Sequence, residues 1–290
     1  MTTGDGIREA VGTADSPDGT TIAGSDSAAA ASETFLRARR PEQKRQRRDD
    51  ILAAARELAL AGGVRSVSLA GIAARAGIDK SALLRYFETR EQIFLELTAR
   101  EWAPWLRALH DGLDGVTPGP ASPAPGPAGL ARGSGDATGG AGDPTGGAGD
   151  AAAWRWDTAD LVADVVARSF GDRPLFCDLL AHAPLNLERN VSPEAVRGYK
   201  LISLGAVGEA ADVVRRALPD LTEQECREFI AAIASLAGTL WQIANPVPAL
   251  AAMFAADPDL ALACVDLVPR LRRTAEILLA GLIPSRRRTG

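Results

Sequence analysis

Histidine, cysteine and aromatic residues are scarce in this chain, and their scarcity narrows the functions it can have. The 290 residues include two histidines and three cysteines, and aromatic residues make up 5% of the sequence. With only His110 and His182 available, and with neither a glycine-rich phosphate loop before a strand nor a nucleophile elbow, no catalytic constellation can be assembled. We therefore expect no catalytic residues, no cofactor and no enzymatic activity.

Long apolar runs are missing as well. No segment carries the 18 or so consecutive apolar residues of a membrane-spanning helix, and the first residues lack the basic start and apolar stretch of a secretory signal. Cys177, Cys226 and Cys264 are odd in number and widely spaced, which favours reduced thiols over a disulfide framework. These features predict a cytoplasmic protein that does not associate with a membrane.

The net charge of −5 hides a strong asymmetry along the chain. Residues 37–100 hold 14 Lys and Arg against 8 Asp and Glu, a local charge of +6. A compact positive segment attracts polyanions at close range, because the Debye length is about 8 Å at physiological salt. Any nucleic acid is therefore expected to bind to this part of the chain.

Apolar residues recur at intervals of three and four along most of the sequence, and alternating β-branched runs are absent, so we predict an all-α fold. A first helix carries Ile51, Ala55, Leu58 and Ala59 and ends at Gly62 and Gly63. Thr89 with Gln92, and Thr222 with Glu225, have the spacing of capping boxes. Further helices are predicted over 91–110, 157–170, 173–183, 192–218, 222–243 and 258–279.

Two segments have a composition that does not support a packed core. Residues 1–36 are rich in Ala, Ser, Thr, Gly and Asp without apolar periodicity, and we expect a disordered tail. Residues 112–153 contain 13 glycines and 6 prolines and repeat the unit TGGAGD, which predicts a flexible, low-complexity insert. The expected domains are thus 37–100 and 101–283, the latter interrupted by the insert at 112–153, with a basic tail at 284–290.

The most specific motif is SLAGIAARAGIDKSALLRYF at residues 68–87, which predicts a helix, a tight turn and a second helix. Ser68 can cap the first helix, and Gly77 can supply the positive φ of a sharp turn. Asp79 can cap the second helix, in which Leu83 points inward. The outward face of that helix then carries Lys80, Ser81, Ala82 and Arg85.

This motif, with the preceding helix and the ETREQIFLEL continuation, resembles the N-terminal domain of the TetR/AcrR transcriptional regulators over roughly residues 45–100. The resemblance implies an N-terminal three-helix DNA-binding domain and a C-terminal helical bundle that binds a small molecule and dimerises. It also implies that Lys80 and Tyr86 contact the DNA backbone, with Ser68 nearby. Asp79, Ala82 and Leu84 replace the Ser, Thr and Tyr that are usual at these positions.

The chemistry of the outward face supports the same interpretation. Lys, Arg, Tyr and Ser bind phosphates and position a protein on DNA, while the few side chains that reach base edges read the sequence. A basic run from Arg37 to Arg48 contains one acid, Glu42, and is either a DNA-binding arm or a solvated flexible segment. The predicted DNA-binding residues are Arg45, Ser68, Lys80, Ser81, Arg85 and Tyr86.

Candidate residues in the regulatory domain come from its bulky and apolar positions. A ligand pocket is predicted from Trp102, Trp105, Phe170, Phe176 and His182, although aromatic residues at helical spacing also form ordinary cores. Cys177, Asp178 and His182 are too few for a metal site, and none is predicted. A dimer interface is predicted from two helices that could equally pack internally, with Phe229, Ile233, Leu236, Leu240, Leu267 and Leu271 on their apolar faces.

Together these features predict a homodimeric repressor that binds a palindromic double-stranded DNA operator and is released by an unidentified small-molecule effector. The alternative is a helical protein that binds small molecules and has no specific affinity for DNA. Retention on DNA that depends on salt would distinguish the two.

Overall fold

The computed structural model describes residues 25–116 and 146–285. Within these ranges the regular structure is entirely helical and contains no strand, which confirms the all-α prediction. The ten α-helices of this part of the chain are α1 (Ser25–Gly62), α2 (Leu69–Arg75), α3 (Lys80–Leu83), α4 (Arg90–Leu113), α5 (Gly146–Gly171), α6 (Pro174–His182), α7 (Pro193–Ala217), α8 (Glu223–Ala244), α9 (Pro248–Ala256) and α10 (Leu267–Ser285).

The chain divides into two compact units, Met1–Arg48 and Asp49–Gly290. The described part of the first unit is the N-terminal portion of α1. The second unit contains the remaining helices and two hydrophobic cores.

The first core joins the helices that surround the turn motif. Ile51 of α1, Ile72 of α2, Leu83 of α3 and Phe94 of α4 are all fully buried there. Leu175 and Leu179 of α6 complete it from a distant part of the chain. The turn motif therefore shares a hydrophobic core with a helix of the predicted regulatory domain.

The second core fills the helical bundle made by α4 to α8 and α10. Its members include buried aromatic and aliphatic side chains from each of these helices, among them Trp105, Val166, Phe170, Phe176, Val214, Ile233 and Leu271. Helix α4 supplies residues to both cores. It crosses the predicted domain boundary between residues 100 and 101 without interruption.

Pro104 lies in the interior of α4. A proline has no backbone N–H and therefore cannot donate to the carbonyl four residues earlier, which here belongs to Arg100. Arg173 packs beside the same turn and donates to the carbonyl oxygens of Pro104 and Ser169, each at 3.0 Å. The long helix is thus held from outside at the point where its own hydrogen-bond ladder is interrupted.

In the structure, helices extend into both of the segments that were predicted to be disordered or of low complexity. Helix α1 begins at Ser25, inside the predicted disordered tail of 1–36, where the alanine run 28–31 has high helix propensity. Helix α4 ends at Leu113 and α5 begins at Gly146, so both ends of the predicted insert at 112–153 are helical. Residues 1–24, 117–145 and 286–290, with the rest of these predictions, lie outside the described residues.

The predicted helix over 258–279 is wrong as a single element. A 3₁₀ turn at Pro258–Ala263 precedes α10, which begins at Leu267. A helix that started at 258 would have placed Pro269 in its interior, whereas a proline is tolerated in the first turn. Helix α9 was not predicted, because its sequence PALAAMFAA is apolar on every side and has no helical period.

No single helix in the described parts of the chain combines the length and apolar character needed to cross a membrane. In these parts of the chain, only when α8 and α9 are taken together do their length and composition suffice for a membrane span, and these two helices are bent by 71° relative to each other.

Gly238 marks the closest approach of α8 to α6. A Cβ atom added at this glycine would lie 2.7 Å from the backbone nitrogen of Ala181. Backbone cannot move aside as a flexible side chain can, so the two helices pack at a distance that only glycine permits.

We predict opposite effects for two glycine-to-alanine substitutions. Gly238→Ala should lower the free energy of unfolding by about 1–3 kcal/mol through overpacking. Gly205→Ala, within α7 and with no atom near its added methyl group, should raise it by about 0.5–1 kcal/mol through helix propensity. Urea denaturation of both variants measures the difference, and equal stabilities would show that α6 and α8 do not pack so closely.

Candidate DNA-binding surface and regulatory cavities

The turn motif has the local geometry that its sequence predicts. The hydroxyl of Ser68 accepts a hydrogen bond from the amide of Gly71 at 3.0 Å and caps α2. Gly77 has a φ of 66°, and after it the amide of Ile78 donates back to the carbonyl of Ala73 at 3.0 Å. These contacts fix the sharp turn between α2 and α3.

Two of the predicted caps differ in detail. Asp79 occupies the N-cap position of α3, but its side chain makes no capping hydrogen bond. Thr89 caps α4 by accepting from the amide of Gln92 at 3.1 Å, while the Gln92 side chain accepts from the amide of Glu88 and not from that of Thr89. The box at Thr222 and Glu225 is reciprocal and confirms the prediction.

The outward face of α3 and the following turn is mainly polar and basic, with Leu84 as an exposed apolar residue. Leu83 and Phe87 are buried beneath it, and Lys80, Ser81 and Arg85 are exposed. Tyr86 is half-buried and packs against the first core, and Ser68 is exposed although its hydroxyl caps α2. Apart from Arg45, the predicted DNA-binding residues thus lie on or beside one short motif.

Arg45 belongs to the unit that ends at Arg48. It is exposed on α1 and pairs with Glu42 of the preceding turn at 3.7 Å. The basic run at 37–48 is helical, in agreement with the good helix propensity of Arg, Lys, Gln and Glu, and it does not form an extended arm.

The predicted ligand-pocket residues separate into two groups. Trp105, Phe170 and Phe176 are fully buried in the second core, with the Trp105 and Phe170 rings 4.9 Å apart. The indole Nε1 of Trp105 donates to the hydroxyl of Ser169 at 3.0 Å. These three side chains have their contacts within the chain, and none of them lines the two cavities described below.

Trp102 lines a cavity of about 460 Å³, which we call the bundle cavity. Its walls come from α4, α6, α7, α8 and the π-helical segment Ala183–Leu187. The indole Nε1 of Trp102 is buried and lies beside the hydroxyl of Tyr199, without a hydrogen bond of good geometry to any described residue. Most of the wall is apolar, and its polar or charged members are Glu188, Tyr199, Lys200, Ser203, Ser235 and Thr239.

Tyr199 was not among the predicted pocket residues. Burial raises the pKa of its hydroxyl to about 12, and the nearby carboxylate of Glu188 acts in the same direction. At neutral pH the hydroxyl is therefore protonated and able to donate a hydrogen bond. The Lys200 ammonium pairs with Glu188 at 2.8 Å. The one sequence feature that could have indicated this pocket residue is that Tyr199 is the single tyrosine on a helix otherwise rich in alanine and valine.

His182 lines a different cavity of about 410 Å³, which we call the junction cavity. Its Nε2 lies 3.4 Å from Oδ1 of Asp178, close enough to interact with the carboxylate although the hydrogen-bond geometry is poor. Asp178 accepts hydrogen bonds from the Val64 amide and the Gln242 side chain, each at 2.7 Å. Burial alone would raise the pKa of the Asp178 carboxyl, but its contacts with His182, Val64 and Gln242 outweigh burial and lower it.

Cys177 faces away from this pair. Its thiol donates to the carbonyl of Phe170 at 3.3 Å, and burial raises its pKa to about 12. In the described ranges, no group of three or more His, Cys, Asp or Glu side chains is placed to hold a metal ion.

Four of the six residues predicted for the dimer interface are core residues of the single chain. Phe229, Ile233, Leu267 and Leu271 are buried in the second core and offer no surface to a partner. Leu236 and Leu240 are half-buried at its edge. An apolar stripe predicts burial, and here the chain's own helices provide it.

Comparison with protein families gives two matches along the chain. Residues 51–97 match the bacterial regulatory proteins of the tetR family, and residues 148–286 match a tetracyclin repressor-like C-terminal domain. A comparison with curated proteins finds no match. The first match includes the whole turn motif with its exposed face, and the second includes α6 to α10, which line most of both cavities. The chain therefore belongs to the TetR family and is a DNA-binding transcriptional regulator.

Proposed function

We propose that this protein is a homodimeric, cytoplasmic repressor that binds a palindromic operator and releases it when a small molecule binds the regulatory domain. The observation that carries the proposal is the exposed face of Lys80, Ser81 and Arg85 above the buried Leu83. A short helix with this polar surface and a rigid apolar underside has the form needed to enter a major groove.

A dimer follows from the geometry of DNA. Two recognition helices read one face of a duplex when they lie about 34 Å apart, one helical turn. The edge of the second core between α8 and α10 supplies a surface for such a dimer, because Leu236, Leu240, Leu278 and Leu282 are only half-buried in the single chain. Ile277 beside them is exposed. Pairing of these edges between two copies would form a four-helix interface.

Lys80→Ala should weaken binding to all duplexes alike, because an ammonium on this face neutralises a phosphate without reading sequence. The slope of log K against log salt concentration should fall by about one counterion. Fluorescence anisotropy with a pool of random duplexes measures the slope. Arg107→Ala, an exposed cation on α4, is the matched control and should leave it unchanged. An unaltered slope for Lys80→Ala would remove this lysine from the backbone contacts.

Arg85→Ala should act on specificity. If its guanidinium reads a base edge, the variant should lose about 1–3 kcal/mol of binding free energy at one operator position and little elsewhere. Operators selected from a random duplex library on the wild-type protein provide the probe, and every single-base variant of the selected site is then measured. A uniform loss across these duplexes would assign Arg85 to phosphate binding.

The bundle cavity is the proposed effector site. Its volume and mainly apolar wall suit a small organic molecule. The buried Nε1 of Trp102 and the protonated hydroxyl of Tyr199 beside it are both donors in the wall, and they favour a ligand that carries an acceptor oxygen. We infer a compound with an apolar body and an acceptor oxygen, because Lys200 and Glu188 pair at 2.8 Å and give the wall no net charge.

Filling the bundle cavity should block this site. Ser203 lies in its wall, so Ser203→Trp should weaken binding of the apolar anion 1-anilinonaphthalene-8-sulfonate about tenfold or more. Leu201→Trp places the same side chain on an exposed position of α7 outside the cavity and should leave dye affinity unchanged. Compounds that release the wild-type protein from DNA should fail to release Ser203→Trp. Equal dye binding by both variants would exclude the cavity.

A helical protein that binds small molecules without recognising DNA is the competing function. It predicts no salt-dependent retention of the dimer on duplexes, whereas the repressor predicts strong retention in dilute salt.

A further inference from the structure

The backbone of Val64 is held on both of its polar sides by side chains from other elements. Its amide donates to Oδ2 of Asp178 on α6 at 2.7 Å, and its carbonyl accepts from the guanidinium of Arg90, the first residue of α4. Val64 itself is buried. It begins the 3₁₀ turn Val64–Ser66, which joins α1 to Ser68, the cap of α2. These two contacts therefore help to fix the segment that leads into the DNA-binding motif.

Asp178 extends the connection to a third element. Its other oxygen, Oδ1, accepts from the Gln242 side chain near the end of α8 at 2.7 Å. One buried carboxylate thus bonds the turn before α2 with one oxygen and α8 with the other. Shared buried hydrogen bonds of this kind are coupled, because a shift of one donor changes the geometry that is available to the other.

The junction cavity opens beside this carboxylate. Its wall takes residues from the end of α1 and the following turn, from α6, and from the segment that links α8 to α9. Among its lining groups are Leu60, Val64, Asp178, His182, Trp241 and Gln242. Two of these bear directly on a ligand: Asp178 is a buried acceptor, and the buried His182 places its Nε2 3.4 Å from Oδ1 of Asp178 without a hydrogen bond of good geometry.

We propose that the junction cavity is a second regulatory ligand site, separate from the bundle cavity, and that its occupant controls DNA binding by drawing Asp178 away from the Val64 amide. The proposal rests on the DNA-binding function proposed above. The chemistry of the wall selects a small neutral or cationic molecule with N–H or O–H donors for the Asp178 carboxylate and an apolar part for Trp241 and Leu60. Arg65, an exposed cation, also lines the cavity, but an anion beside Asp178 would meet that carboxylate at close range.

A tethered occupant tests the proposal without a known ligand. Val247 lines the cavity and is 65% exposed, so Val247→Cys can be labelled in a Cys264→Ser background. Cys177 and Cys226 are buried. The probe is aminoethyl methanethiosulfonate, which adds a short chain with an ammonium. Leu161→Cys on α5, exposed and outside both cavities, is the matched control and receives the same label.

Labelling at position 247 should lower affinity for a selected operator duplex about tenfold, within the usual range of allosteric coupling, and labelling at position 161 should not. Hydrogen exchange at the Val64 amide should accelerate on labelling at 247, because this amide loses its buried acceptor. In an Asp178→Asn background the label should change DNA affinity much less, since the carboxylate through which it acts is gone.

The proposal is overturned if the label at 247 leaves both DNA affinity and Val64 exchange unchanged, or if the label at 161 has the same effect. The exchange measurement needs no substitution at Asp178 and so decides the matter even if Asp178→Asn does not fold. Failure of the unlabelled Cys264→Ser protein to bind DNA would instead contradict the proposed function, which keeps the two outcomes separate.

Discussion

Helix α6 is buried on nearly every side, and the arrangement of the 49–290 unit depends on that burial. Its nine residues place Leu175 and Leu179 in the core of the DNA-binding motif and Phe176 and Cys177 in the core of the bundle. A helix this short is marginal by itself and exists because both cores cover it. A displacement of α6 must therefore disturb both cores together, and in the function proposed above it would couple the bundle to the DNA-binding motif.

The features of the motif that sequence could predict are local ones. Ser68 caps α2, Gly77 forms the turn and Leu83 packs into the core, as the sequence predicts. These roles could be predicted because each depends on the residue's own chemistry and on neighbours a few positions away. The exposure of Lys80, Ser81 and Arg85 followed from the same local reasoning. The bond between Asp178 and Val64 had no such signal, since its partners are 114 residues apart and only the fold brings them together.

The regulatory domain was harder to predict for a different reason. Apolar residues at helical spacing show that a face is buried, but not whether the chain itself or a partner buries it, as Phe229 and Ile233 illustrate. Likewise, a run of aromatic residues does not distinguish a packed cluster from a pocket wall. Trp105 and Phe170 pack against each other, while Trp102, one turn from Trp105, reaches a cavity. Helix α9 shows the limit of periodicity, because a segment that is apolar throughout has none.

The proline within α4 has a mechanical consequence. Above and below Pro104 the helix is clamped in different cores, with Phe94 in one and Leu109 in the other. A helix that lacks one backbone hydrogen bond bends more easily at that point than elsewhere along its length. A movement of one half of α4 relative to the other is therefore expected to bend the helix near Pro104, where Arg173 ties it to the start of α6 through the Pro104 carbonyl.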